Sequence, residues 1–196
     1  MNLPIIRGIT KVRNEGHIII DTLNNWSEIC TAGIYVYDDV SLCKNHPNVK
    51  DFIECTYWDP DREKAEWMNR QRILMRAQQD SGLDDWLVYF DADEHLYNFD
   101  RFEMFYDPHI KAISCRLYDV MITSEDKDLD YRQRQWIAPE FRTIVFFFRN
   151  SSWLKYELPD QRIVNLEPGI QIPIHGDIKH LGKGFSVDQW EKTCNY

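Results

Sequence analysis

The chain has 196 residues, of which 43% are hydrophobic and 14% aromatic, and its formal net charge is −9. This composition is typical of one folded domain and excludes a disordered chain, while the acidic balance argues against a nucleic-acid partner, which needs clustered Lys and Arg. The five cysteines form no Cys-x-x-Cys pair, and no apolar stretch approaches the roughly 20 residues of a membrane span. We therefore expect a cytoplasmic protein with no membrane span in this segment.

The first hundred residues alternate apolar runs with segments of helical spacing. Strands are predicted at 5–12, 33–37, 49–55 and 86–90, and helices at 14–30 and 61–79. Strands that alternate with helices in this way predict βαβ units and a mostly parallel sheet flanked by helices.

After residue 100 the pattern becomes richer in strands. Strands are predicted at 110–121, 142–149 and 170–180, and a polar loop at 124–135. Ser186 is a suitable N-cap for a helix over 187–196 that has only just begun. We therefore expect one domain over 1–196, which is the N-terminal part of a longer protein with further domains.

An apolar strand at 86–90 runs directly into three carboxylates, Asp91, Asp93 and Glu94. Burying clustered carboxylates costs several kcal/mol unless a positive partner is present. No Lys or Arg follows until Arg101, so we predict a divalent cation as that partner. The carboxyl end of a strand is also the place where open α/β sheets bind ligands.

Two other strand ends carry polar residues. Asp38 and Asp39 follow the second strand, and the first strand ends in Thr10, Lys11, Arg13, Asn14 and Glu15. Because the carboxyl ends of parallel strands share one edge of a sheet, these groups can converge on the acidic block. Alternatively, Asp38 and Asp39 are only helix caps and turn formers.

In chain order these residues stand in Lys-Val-Arg-Asn-Glu, Val-Tyr-Asp-Asp-Val-Ser and Phe-Asp-Ala-Asp-Glu. The series resembles the GT-A-fold glycosyltransferases of the family 2 type, over nearly the whole chain, and the Asp-x-Asp-Glu block is its most specific part. The resemblance implies an α/β, Rossmann-like GT-A fold. It also implies a nucleotide-sugar-binding half at 1–100 and a more β-rich acceptor-side half at 101–196.

The same resemblance implies a nucleotide-sugar donor, with UDP as the expected nucleotide, and a divalent metal, Mn²⁺ or Mg²⁺. The implied nucleotide-binding residues are Thr10, Arg13, Glu15, Asp38, Arg70, Gln71, Asp91 and Ala92. Gln71 departs from the Asn that family members carry after the arginine, which leaves its role open. Asp93 is the expected direct metal ligand, with Asp91 beside it, since hard cations bind carboxylate oxygens together with substrate phosphates.

Two later segments complete the predicted site. His-Leu-Gly at 180–182 resembles an element in which a histidine completes the metal site, and an imidazole ligand favours Mn²⁺ over Mg²⁺. Alternatively, His180 is a structural histidine. Displacement of a nucleotide by a hydroxyl needs a carboxylate base, for which the resemblance selects Asp160, with Glu157 as second choice. The alternative is a surface turn built on Pro159 and Asp160.

The predicted activity is metal-dependent, inverting transfer of a sugar from a nucleotide-diphosphate donor to a glycan or other hydroxyl acceptor; inversion is implied by the resemblance alone. One alternative is a non-catalytic carbohydrate- or nucleotide-binding module of the same fold. The other is a nucleotidyltransferase, which would carry an early Gly-rich, basic phosphate loop, whereas Gly8 and Gly16 are isolated.

Overall fold

The computed structural model of the chain describes residues 3–13, 15–38, 41–55, 61–158, 161–182, 184–186 and 188, with the backbone alone at 41 and 62–65. The described strands and α-helices are β1 (Ile6–Lys11), α1 (Ile19–Trp26), β2 (Ile34–Asp38), β3 (Val49–Glu54), α2 (Arg62–Gln79), β4 (Trp86–Tyr89), β5 (Glu94–Asn98), β6 (Ala112–Val120), β7 (Ile137–Arg149) and β8 (Ile174–His180). Within this described part, no helix is long and apolar enough to cross a membrane.

The strands form one eight-stranded sheet in the order β3-β2-β1-β4-β7-β6-β8-β5. The first four strands in that order are mutually parallel, as βαβ connections require. In the other half, β7 runs antiparallel to both β4 and β6, and β8 runs parallel to β6 and antiparallel to β5. The predicted α/β class is confirmed, and the parallel pairing is concentrated in the N-terminal half.

Several element bounds differ from the sequence predictions. Strand β5 was not predicted, because Glu94–Asn98 carries no apolar run and is ordered by its pairing with β8. Strand β7 begins at Ile137 rather than at 142, since its first residues are exposed and carry no strand-like apolar pattern. Helix α1 is limited to Ile19–Trp26, well inside the predicted 14–30. The helix predicted at 187–196 falls largely outside the described residues.

Both faces of the sheet are covered. Helix α1 packs on one face, where the Trp26 indole stacks on the Phe90 ring with centroids 4.5 Å apart and also donates to the Glu94 carbonyl at 2.7 Å. Helix α2 covers the other face through the buried side chains Ile73 and Leu74. Because all residues of β2 and β4 are buried, these strands have the continuous apolar character of a doubly covered parallel sheet.

The topology brings strand termini from both halves of the sheet to one edge. Since β7 runs antiparallel to β4, its first residues lie beyond the carboxyl end of β4, and β6 must end beside them. The end of β8 then lies between its neighbours, because His180 is paired with Asp119 of β6 and with Glu94 of β5. This is the edge at which β1, β2 and β4 also end.

Candidate active site

Asp93, His180 and Asp119 form a chain of hydrogen bonds at this edge. His180 Nε2 lies 3.2 Å from Asp93 Oδ2, and His180 Nδ1 lies 2.6 Å from Asp119 Oδ1. Burial lowers the pKa of His180, but the hydrogen bonds to Asp119 and Asp93 outweigh it and raise this pKa to about 10. The structure therefore brings the predicted ligands Asp93 and His180 together. It adds Asp119, which sequence reasoning missed because a lone acid near a strand end is unremarkable.

Gly182 leaves open the space around this pair. A Cβ atom at Gly182 would lie 2.5 Å from Asp93 Oδ2 and 3.3 Å from His180 Nε2, so any larger residue would collide with the carboxylate. The backbone holds the loop in place, since Leu181 N donates to the Asp93 carbonyl at 2.8 Å. The lack of space for a Cβ atom next to Asp93 explains why the third residue of His-Leu-Gly is a glycine.

The side chains of Asp93 and His180 are suited to a divalent cation that also binds a ligand. Among the described residues, no group of three or more His, Cys, Asp or Glu side chains is arranged to hold a metal. Asp93 nevertheless offers a carboxylate, and His180 would offer an imidazole once metal binding displaces its Nε2 proton. Asp119 holds the second ring nitrogen, as a carboxylate commonly does for a metal-bound histidine. A cation held by two such ligands takes its remaining positions from phosphate oxygens and water.

Asp91 and Glu94 have a different positive partner, Arg162. The Arg162 guanidinium lies 2.6 Å from Glu94 Oε2 and 3.4 Å from Asp91 Oδ2, and it comes from 68 residues beyond Glu94. The second oxygen of Asp91 accepts a hydrogen bond from Tyr89 OH at 2.7 Å. Part of the acidic block is thus neutralised by the protein itself, and the role of Asp91 as a metal ligand stays a prediction.

The pKa values of these acids reflect the same contacts. Burial raises the pKa of Asp91, but the positive charges of Arg162, Lys11 and Arg70 outweigh it and hold this pKa below its usual range. For Glu94, burial wins over the attraction of Arg162, so its pKa is raised. Asp91 is therefore a carboxylate at neutral pH, and the charge of Glu94 depends on Arg162.

A second guanidinium lies beside the first. Arg70, which α2 carries, is buried and donates to Tyr89 OH at 3.1 Å and to the Gln161 carbonyl at 2.9 Å. Arg162 lies over the Tyr89 ring, with 4.6 Å from the guanidinium carbon to the ring centroid. Its buried Nη1 has no hydrogen-bond partner among the described residues. Arg162, which contacts Asp91 and Glu94, and Arg70 behind it therefore bring two positive charges to the acidic block that also contains Asp93.

The residues predicted near the nucleoside also lie at this edge. Thr10 is fully buried, and its hydroxyl has no partner among the described residues. The backbone of Arg13 donates to Glu15 Oε2 at 3.4 Å, and burial together with the charge of Asp93 raises the pKa of Glu15 to about 8. Asp38 is buried at the end of β2, where the Cys43 thiol donates to it at 3.4 Å.

Two predicted nucleotide-binding residues have structural contacts. Gln71 accepts a hydrogen bond from Tyr156 N at 2.7 Å, which ties the segment after β7 to α2. Ala92 is buried, and its carbonyl accepts a hydrogen bond from the Thr22 hydroxyl of α1. Neither contact assigns a ligand, so both binding roles stay predictions.

The two predicted bases have different settings. Glu157 is exposed, pairs with Lys155 and accepts from Asn165 Nδ2 at 2.6 Å, and the bond to Lys155 lowers its pKa. Asp160, like Asn14 and Asp39, lies outside the described residues. The residues that follow Asp160 are Gln161, which contacts Arg70, and Arg162, which contacts the acidic block.

No family model and no curated protein matches the sequence. A mannosyltransferase from Pyrobaculum calidifontis, solved with GDP-Man and Mn²⁺, is 19% identical with a TM-score of 0.39, over 57% of this chain and 35% of that one. The chain therefore spans about a third of that structure. A glycosyltransferase involved in glycosylation of the major capsid of PBCV-1 is 12% identical with a TM-score of 0.43, over 98% of this chain and 100% of that one. The bifunctional IspDF from Campylobacter jejuni is 12% identical with a TM-score of 0.41, over 93% of this chain and 51% of that one.

Proposed function

We propose that the protein is a metal-dependent glycosyltransferase that moves a sugar from a nucleotide-diphosphate donor to a hydroxyl of a glycan or other acceptor. The observation that carries this proposal is that Arg162 contacts Asp91 and Glu94, on either side of Asp93, while Asp93 itself lies 3.2 Å from His180. A diphosphate is matched by a divalent cation on one side and by guanidinium donors on the other.

Different residues would bind different parts of the donor. Asp93 and His180 would hold Mn²⁺ or Mg²⁺, and the bound metal supplies charge stabilisation for the leaving diphosphate. Arg162 would supply positive charge to a phosphate oxygen, with Arg70 behind it. Asp91 is ionised and lies beside them, where it can accept a hydrogen bond from a ribose hydroxyl.

The transfer itself needs one proton acceptor. The acceptor oxygen forms a bond to the anomeric carbon while the bond from that carbon to the diphosphate oxygen breaks and the electron pair leaves with the diphosphate. The hydroxyl proton passes to a carboxylate. We assign it to Asp160, because Gln161 and Arg162 continue directly into the site, whereas Lys155 makes Glu157 a weaker base. A single displacement of this kind inverts the anomeric centre.

Ligand-induced stabilisation tests the proposal. The midpoint of thermal unfolding is measured with UDP, GDP or dTDP, each with and without Mn²⁺. We expect one nucleotide with Mn²⁺ to raise stability by about 2.7 kcal/mol at a hundredfold excess over its dissociation constant. Asp93→Asn should abolish this gain, and Asp128→Asn, a change at an exposed carboxylate, should retain it.

Two outcomes would count against the proposal. If none of the three nucleotides stabilises the protein with Mn²⁺, the donor site is refuted. If a nucleotide binds but the protein releases no nucleoside diphosphate from the matching nucleotide sugars, with or without acceptors, the non-catalytic binding module is the better description.

A further inference from the structure

The end of β6 and the start of β7 form a two-stranded ribbon next to the site. Strand β4 pairs with β7 only between Val88↔Phe147 and Trp86↔Arg149, whereas β7 begins at Ile137. Residues 139–143 of β7 are exposed. The first half of β7 therefore continues past the carboxyl end of β4, with β6 as its partner, and β6 carries Asp119, which contacts His180.

An irregularity in this ribbon opens a groove. Tyr118 is paired with Phe141 and Val120 with Ile137, so that residues 138–140 of β7 stand opposite the single residue Asp119. Bulges of this kind redirect side chains and are frequent beside active sites. The result is a cavity of about 320 Å³ on the ribbon, which is at the lower end of the range for small-molecule sites.

The lining of the groove combines an aromatic platform with polar groups. Phe141 has 50% of its surface exposed and is braced by the Tyr118 ring, whose centroid lies 5.3 Å away. Met121 is half-exposed beside it, and Asp119, Glu140 and Arg142 supply the polar edge. Two carboxylates disfavour a phosphate here. A sugar ring fits this chemistry, because its C–H face packs on an aromatic ring while its hydroxyls bond to carboxylate and guanidinium groups.

Asp119 joins the groove to the candidate metal centre. Its Oδ1 atom receives the His180 Nδ1 hydrogen bond at 2.6 Å and lies 3.3 Å from Arg142 Nη2. The same side chain lines the groove, so one end of the groove is formed by the residue that holds the His180 ring. An occupant of the groove would thus lie next to the place where the donor diphosphate is proposed to bind.

We propose that this groove binds a sugar ring of the acceptor, with Phe141 as its stacking platform and Asp119 and Glu140 as hydroxyl partners. That the sugar is an acceptor rests on the proposed function, whereas the binding of a sugar at Phe141 does not. The groove would give the enzyme a glycan acceptor rather than a simple alcohol, which has no ring to stack.

Methionine methyl groups provide a probe inside the groove and a matched control outside it. Met121 lines the groove, and Met75 on α2 is similarly exposed, at 53% against 47%. The protein is labelled with ¹³C-methyl methionine, and Met121→Leu and Met75→Leu assign the two signals. Methyl glycosides of glucose, galactose and mannose and the corresponding disaccharides are then titrated, with and without UDP and Mg²⁺.

We expect at least one sugar to shift the Met121 signal in a saturable way and to leave Met75 unchanged. Phe141→Ala should abolish that shift, whereas Phe102→Ala, which removes a similarly exposed ring elsewhere, should not. Shifts of neither methyl, or of both alike, overturn the proposal. A shift caused only by intact nucleotide sugars also overturns it, because the groove would then belong to the donor.

A separate titration with Mn²⁺ keeps the two proposals distinguishable. Met121 is close to the candidate metal centre, because it follows Asp119 by two residues. Met75 is farther away, because it lies on α2, which packs on β1 and β2, and β1 is three strand spacings, or about 14 Å, from β6. A metal at Asp93 and His180 should therefore broaden Met121 more than Met75. If the sugar shifts the Met121 signal but Mn²⁺ does not broaden it, the proposed sugar-binding groove is supported and the proposed metal centre at Asp93 and His180 is refuted.

Discussion

Replacing Arg162 with methionine removes the cation that pairs with Glu94 and Asp91. Glu94 is the more affected acid, because its side chain is only 3% exposed and lies 2.6 Å from the guanidinium. Methionine keeps most of the unbranched side-chain volume, so the change tests charge rather than packing. We expect the variant to fold with lower stability.

The expected loss follows from the burial of the pair. Breaking a buried ion pair by removing one partner costs about 3–5 kcal/mol, because the other charge stays buried. Two features place this case at the lower end, about 3 kcal/mol. Arg162 is 21% exposed, so water reaches part of the site, and Glu94 keeps the hydrogen bond from Asp91 N at 2.8 Å.

Urea unfolding followed by the fluorescence of the buried Trp26 and Trp86 measures this loss. The matched control is Arg101→Met, which breaks an exposed pair with Glu103 and should cost less than about 1 kcal/mol. Adding Glu94→Gln to the Arg162 variant removes the stranded charge and should recover about half of the loss.

The loss should also depend on pH. Without Arg162, the folded pKa of Glu94 rises further above its ordinary value of 4.5. A raised folded pKa favours the protonated folded state, so the destabilisation is smallest below pH 4.5 and grows as pH rises through the folded pKa. A loss no larger than that of Arg101→Met, or no recovery by Glu94→Gln, would refute the buried pair.

Two further predictions concern the Asp93–His180 pair. Gly182→Ala should lower stability by about 1–3 kcal/mol and weaken Mn²⁺ binding measured by calorimetry, since its Cβ would lie 2.5 Å from Asp93 Oδ2. The control is Gly82→Ala, whose Cβ would meet only contacts of 3.7–3.8 Å. Equal effects of the two substitutions would contradict the geometry at Gly182. The folded pKa of His180 is raised from 6.5 to about 10, so its stabilising contribution in the metal-free protein is complete below pH 6.5 and is lost as pH rises through about 10. Urea titrations across this range should show a steeper fall in the free energy of unfolding for the wild type than for His180→Gln, and parallel curves would show that His180 is not held by Asp119 and Asp93.

The parts of the fold that could be predicted from sequence are those with a local signal. Strands β2 and β4 are apolar runs, and α2 begins and ends within a residue or two of the predicted helix. Strand β5 could not be predicted, because its residues become a strand only through pairing with β8. The first half of β7 is similar, since its exposed residues are ordered by β6.

The candidate site divides in the same way. The amino-acid sequence by itself determined that carboxylates follow the end of β4 and that the ends of parallel strands would gather polar groups around them, because both are consequences of local pattern and strand direction. It also pointed to His180, through a resemblance. Only the tertiary structure decided which charges meet. Arg162 neutralises Asp91 and Glu94, and Asp119 holds His180, because attraction between charges depends on distance in space, which the fold sets and the order of residues does not.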